Sequence, residues 1–164
     1  MAISLEFIMS QNKKLLIIAH APSDNTQRML EAVINGASDE EVDNVEVQIL
    51  APLDTKPEDI ISADAIILGT TENFGYMAGL VKDVFDRCYY PCIEHTEGLP
   101  FAFYVRAGLD GTGTRRAIET ITKGLRWKLV QDPLICKGGF QLEFLDQCRD
   151  LGLSMAASLD TGII

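Results

Sequence analysis

The 164-residue chain is 47% hydrophobic and carries 14 Lys and Arg against 24 Asp and Glu, a formal net charge of −10. That apolar content excludes a disordered chain and suits one globular domain. The acidic excess excludes nucleic acid and anionic membrane as main partners, since both need a positive footprint, and suits docking against basic patches on other proteins.

Residues 1–8 carry Glu6, lack a positively charged leader and are too short for a signal peptide or a membrane span. They belong to an N-terminal extension, 1–12, ahead of a domain at 13–164, and either Met1 or Met9 can be the natural start. Residues 14–19 are a continuous apolar run, as a strand buried on both faces should be. A polar turn-rich stretch at 20–25 leads into a helix at 26–36, with Met29, Leu30, Val33 and Ile34 on one face. Residues 45–50 alternate as a strand, 52–57 form a loop and 58–62 one helical turn. A buried strand at 65–68 ends at Gly69; a loop runs over 70–76, and a helix over 77–89 is stopped by Pro91. A fourth strand at 101–105 precedes a glycine-rich loop, 106–113, and a helix at 114–125. A fifth strand lies within 127–136, interrupted by Pro133, and a closing helix covers 141–158.

Strand and helix alternate five times. This predicts an α/β, doubly wound, five-stranded parallel sheet in a single domain, with order 2-1-3-4-5 and a ligand crevice between strands one and three. The loops leaving strands one, three and four therefore carry the functional argument. Cys88, Cys92, Cys136 and Cys148 and the histidines His20 and His95 lack zinc spacing. The four cysteines fit reduced structural thiols in a cytoplasmic protein, with Pro91 breaking the helix between Cys88 and Cys92. No metal is expected.

In the first loop, Ser23 and Thr26 offer hydroxyls and the following helix offers free N–H groups, together a cradle for a phosphate. The same residues also suit a plain helix cap. The loop resembles the phosphate loop of flavodoxins, Ser/Thr-x-Thr-Gly-Asn-Thr, onto which residues 21–26 fall in order. Ser23, Asn25 and Thr26 match; Ala21 lacks the first hydroxyl, and Asp24 replaces glycine and brings a carboxylate beside the anion. The second loop and its helix are similar to a stretch in NAD(P)H-dependent FMN reductases and Trp-repressor-binding-protein-like quinone reductases. Gly69, Thr70, Gly75, Met77, Ala78, Gly79, Lys82, Phe85, Asp86 and Arg87 match it, and Thr71 stands where proline is usual.

The resemblance implies a flavodoxin-like fold holding flavin mononucleotide (FMN) non-covalently. It implies contacts from Ala21, Ser23, Asn25 and Thr26, from Thr70, Thr71, Glu72, Asn73, Phe74 and Gly75, and from Arg106, Ala107, Gly108 and Gly111. The chemistry implied is electron transfer from NAD(P)H to a quinone or free flavin; the alternative is an electron carrier without NAD(P)H turnover. Partners are then small redox substrates or a redox protein, in a homodimer or homotetramer. No catalytic acid or base is assigned. Phe74 packs on the ring or in the core. Lys82 with Asp86, and Asp83 with Arg87, have the spacing of surface ion pairs. Arg115 and Arg116 meet a dinucleotide phosphate or form a solvated face. Arg106 lies near the flavin's pyrimidine side, where its charge would stabilise a reduced anion, or points to solvent or to Asp110.

Overall fold

The computed structural model describes residues 12–164. The extension, except Asn12, and the choice between Met1 and Met9 lie outside the described residues. Strands β1 (Lys13–Ala19), β2 (Val45–Leu50), β3 (Ala65–Asn73) and β5 (Pro100–Ala107) form the body of the sheet. The fifth position is shared by β6 (Lys128–Leu129) and β7 (Leu134–Lys137), and all these pairings are parallel. The lateral order is β2-β1-β3-β5-β6, with β7 beside β5, which is the 2-1-3-4-5 arrangement expected from the alternation. The helices are α1 (Asp24–Ala37), α2 (Pro57–Ile61), α3 (Gly79–Cys92), α4 (Thr112–Gly124) and α5 (Glu143–Asp160), with a 3-10 turn at Pro52–Asp54.

Strands with both faces covered lose every side chain from water, so they read as unbroken apolar runs. Leu15, Leu16 and Ile17 are all fully buried, and successive residues feed two separate cores. Leu16, Ile18, Ile66 and Phe103 pack with Val81, Phe85 and Ile118 of α3 and α4. Leu15, Ile17, Ile67 and Tyr104 pack with Met29 and Val33 of α1 and with Met155 and Leu159 of α5. Helices α1 and α5 approach closely through Gly36 and Gly152. A Cβ on Gly36 would lie 2.0 Å from the Arg149 carbonyl, and one on Gly152 the same distance from the Val33 carbonyl. Two glycines inside helices, where glycine costs about 1 kcal/mol, are thus explained by contact.

Three features depart from the sequence reading. Strand β3 does not end at Gly69 but continues through Asn73, and with β4 (Tyr76–Met77) it forms an antiparallel hairpin in place of the expected loop. Pro91 does not stop α3 or separate Cys88 from Cys92; it lies inside the last turn, where its missing N–H frees one carbonyl only. The fifth strand is broken into β6 and β7 around Pro133, and β5 pairs with both pieces. All four cysteines are free and buried. Burial pushes the Cys92 thiol up to about 12 and raises that of Cys88, so neither is a ready thiolate. No helix among the described residues is long and apolar enough to cross a membrane.

Candidate functional site

The register places the loop after β1 beside the end of β3, and the end of β3 beside the end of β5. Ala19 is opposite Gly69, Thr70 is opposite Val105, and Thr71 is opposite Arg106. The His20 N–H continues the ladder onto the Gly69 carbonyl at 3.0 Å. Residues from the three expected loops therefore meet along one edge of the sheet, at its topological switch point, where ligands of such sheets bind.

In the first loop Ser23 is the N-cap of α1. Its Oγ accepts from the Thr26 N–H at 3.2 Å, and Thr26 Oγ1 accepts from the Ser23 N–H at 2.9 Å. Thr26 Oγ1 also donates to the Ser23 carbonyl at 3.0 Å, and Thr26 is buried. Its hydroxyl is thus committed inside the cap, whereas exposed Ser23, whose Oγ lies 2.8 Å from Thr26 Oγ1 and donates to it once the Thr26 proton is on the Ser23 carbonyl, would exchange that bond to face a ligand. The N–H groups of Asp24 and Asn25, at the first two helical positions, precede the intrahelical ladder and point out of the helix end. Ala21 is half-buried in the extended link before the cap. Arg28 adds a charge that the sequence reading did not place here. Its Nη1 reaches Asn25 Oδ1 at 3.4 Å, and its guanidinium lies over the Phe140 ring at 5.4 Å. Phe140 comes from the loop after β7, so the fifth strand's loop also contributes to this corner.

In the second region Thr70 is buried and ties the hairpin base: its Oγ1 accepts from the Ala78 N–H at 3.1 Å and donates to the Thr71 carbonyl at 2.9 Å. Thr71 Oγ1 donates to Asn73 Oδ1 at 2.9 Å. The turn is Phe74-Gly75, with φ of 53° and 73°. Positive φ at both central residues is what a two-residue hairpin turn of type I′ requires, and it strains a bulky residue. Phe74 is fully exposed, so it is not a core residue. Glu72 makes the most consequential contact. Its Oε1 accepts from the Leu109 N–H and its Oε2 from the Gly111 N–H, both at 2.8 Å. One carboxylate thus straps the hairpin to the β5–α4 loop. The start of α4 closes in as well, since a Cβ on Gly113 would lie 2.0 Å from the Gly75 carbonyl.

In the third loop Ala107 is buried, Gly108 is exposed, and Gly111 caps α4 with φ of 71°. Arg106 points neither to solvent nor to Asp110. Its Nη1 donates to the Ala107 carbonyl at 2.9 Å and to the Cys136 carbonyl at 3.1 Å, with the guanidinium over the Phe144 ring at 5.4 Å. Asp110 instead accepts from the Thr112 N–H at 3.0 Å. The Lys82–Asp86 and Arg87–Asp83 pairs form on the surface of α3 as their spacing suggests. Arg87 also donates to the Thr55 and Pro52 carbonyls, anchoring the loop after β2.

A cleft of about 480 Å³ lies beside these loops rather than between them, walled by Leu30, Ile34, Ile49 and Leu53 and sharing His20, Ala21 and Pro22 with the first loop. Burial lowers the His20 pKa, which favours the neutral imidazole at pH 7. No group of three or more His, Cys, Asp or Glu side chains among the described residues is arranged to hold a metal ion.

No protein-family model matches the chain, and no curated protein matches it. Solved structures do. The chain is similar to a flavodoxin from the domain Archaea, with 23% identity over 89% of this chain and 98% of that one, at a TM-score of 0.74. It is also similar to the two-electron reduced flavodoxin of Megasphaera elsdenii, with 16% identity, 87% and 98% coverage, and a TM-score of 0.71. A third likeness is the WrbA-like flavodoxin of Agrobacterium tumefaciens, with 20% identity, 89% and 96% coverage, and a TM-score of 0.68. The chain has the flavodoxin-like fold.

Proposed function

We propose that the carboxyl edge of the sheet holds FMN non-covalently, and that the chain passes electrons from NAD(P)H to a quinone or flavin acceptor. The observation that carries this reading is the meeting of an open helix N-terminus with a strapped hairpin at the switch point of the sheet. The residues fit the two halves of the group. The Asp24 and Asn25 N–H groups, the Ser23 hydroxyl and the Arg28 guanidinium suit a phosphate, with Thr26 holding Ser23 in place. The hairpin at 70–75 and the loop at 106–111 suit a flat ring, since Phe74 offers an exposed aromatic face and Gly75 and Gly108 let backbone come close, while Gly111 is buried against Ile135 and serves the Glu72 strap. Bound there, FMN supplies the hydride and electron chemistry that no side chain provides. Glu72 keeps the third loop in position. Arg106 braces the end of β5 against β7.

A second reading, a carrier without its own NAD(P)H turnover, is favoured by the net charge of −10. Cytoplasmic location, small redox substrates or a redox protein as partners, and a homodimer or homotetramer belong to the same proposal. The test is anaerobic addition of NADPH or NADH to FMN-loaded protein. Bleaching of the flavin band faster than for free FMN supports the enzyme. Retained FMN with no bleaching leaves the carrier, and failure to retain FMN removes both.

A further inference from the structure

Beside the hairpin, on the outer face of the helical layer formed by α3 and α4, lies a groove that shares only Gly75 with the proposed flavin site. A hollow of about 390 Å³ is lined by Gly75, Tyr76, Arg116, Ala117, Thr120 and Ile121. Ile121 also lines a second hollow, of about 220 Å³, reaching Lys82, Asp86, Tyr89 and Tyr90 on α3. The two run as one groove between α3 and α4, starting at the turn of the hairpin.

Arg115 is paired with Glu119 at 2.9 Å, and Lys82 with Asp86. Arg116, the next residue along α4, has Thr120 four residues on, and Glu119, three residues on, is bonded to Arg115 instead. Among the described residues its guanidinium has no ion-pair partner. The rest of the lining is flat and largely apolar, from Tyr76, Ala117 and Ile121. An exposed cation at the side of a hollow lined by aromatic and aliphatic groups has the chemistry to take a purine with an attached phosphate. The guanidinium can bond phosphate oxygens in pairs, and that lining excludes water from one face of the base.

We infer that this groove takes the adenosine phosphate half of the nicotinamide dinucleotide, with Arg116 meeting a phosphate. The inference rests on the NAD(P)H reading above. It supplies what that reading lacks, a place for the donor that begins at Gly75, next to the proposed ring, and leads away from it.

The test is isothermal titration of NADP⁺, which binds without turnover, into the full chain with and without FMN. The parent should bind, and Arg116→Ala should weaken binding by about tenfold or more, the loss of charge-assisted hydrogen bonds. The double variant Arg115→Ala/Glu119→Ala, which removes that ion pair whole and frees no carboxylate beside Arg116, should bind as the parent does. Both arginines are exposed, and circular dichroism checks that the variants fold. Adenosine without phosphate should show no difference between parent and Arg116→Ala. Equal NADP⁺ affinity in parent and Arg116→Ala, or no NADP⁺ binding by the parent, overturns the inference. Titration of FMN into the same proteins separates the two readings. FMN binding without NADP⁺ binding removes the groove alone. Arg116-dependent NADP⁺ binding without FMN binding keeps the groove and removes the flavin site.

Discussion

The β1–α1 loop and the β3–β4 hairpin leave neighbouring strands at the same edge of the sheet, yet they are held in opposite ways. The first is closed by residues three apart, Ser23 and Thr26, whose side chains cap each other's backbone. The second is held by residues 37 and 39 apart, through one Glu72 carboxylate on the Leu109 and Gly111 N–H groups. A local cap forms with its helix, whereas the strap forms only after β3 and β5 have paired. The two halves of the proposed site should therefore differ in stability, the phosphate corner being ordered with α1 and the ring corner depending on a single side chain.

The sharpest way to break that contrast is Glu72→Ala. Losing two hydrogen bonds to a charged acceptor should cost about 2 kcal/mol, and the damage should stay local. Hydrogen exchange should speed up at Leu109 and Gly111 while the α1 amides keep their protection. Uniform loss of protection across both regions would mean that the strap is not a separate unit.

The first region can be dissected with Ser23→Ala and Thr26→Ala. Each removes half of the cap and should destabilise the fold by about 1 kcal/mol. Only Ser23→Ala also removes an exposed hydroxyl, one that can exchange its bond to Thr26 for a stronger one to the phosphate, so its FMN affinity should fall by about tenfold. Thr26→Ala should keep FMN affinity near that of the parent, because its hydroxyl is spent on the Ser23 carbonyl. Equal losses in fluorescence titrations of the two variants would show that Thr26 also touches the ligand.

The smallest effect belongs to the hairpin turn. Phe74→Asn places a residue suited to positive φ at the first turn position and should stabilise the protein by roughly 1 kcal/mol or less. It also removes the exposed ring, so thermal stability should rise while FMN affinity falls. A variant that gains stability and binds FMN unchanged would show that the aromatic side chain serves something other than the flavin.

The same contrast explains what was legible in the sequence. The strand order and the first loop follow from local signals: apolar runs at 14–19 and 65–68, and a Ser-x-x-Thr cap ahead of an amphipathic helix. The hairpin was not legible. Thr71 to Asn73 are polar because they project beyond the covered sheet, buried Thr70 is polar because it ties the hairpin base, and the turn carries Phe-Gly instead of the usual Asn-Gly, so neither composition nor turn chemistry marks a strand there. The Glu72 strap and the Arg106 brace depend on partners 37 and 30 residues away, and no local pattern encodes such distances. Arg28 was legible in principle, since it stands two residues after Thr26 and on the same turn as Asn25. Pro91 misled because a proline in a helix's last turn disrupts far less than one in its middle.

The central claim is that this edge binds a flavin by its phosphate as well as by its ring. Isothermal titration of FMN and riboflavin, which differ only in that phosphate, tests it most directly. FMN should bind at least about tenfold more tightly, the contribution of the charge-assisted bonds at the start of α1. Equal affinities would contradict the phosphate corner, and failure of both to bind would contradict the site as a whole.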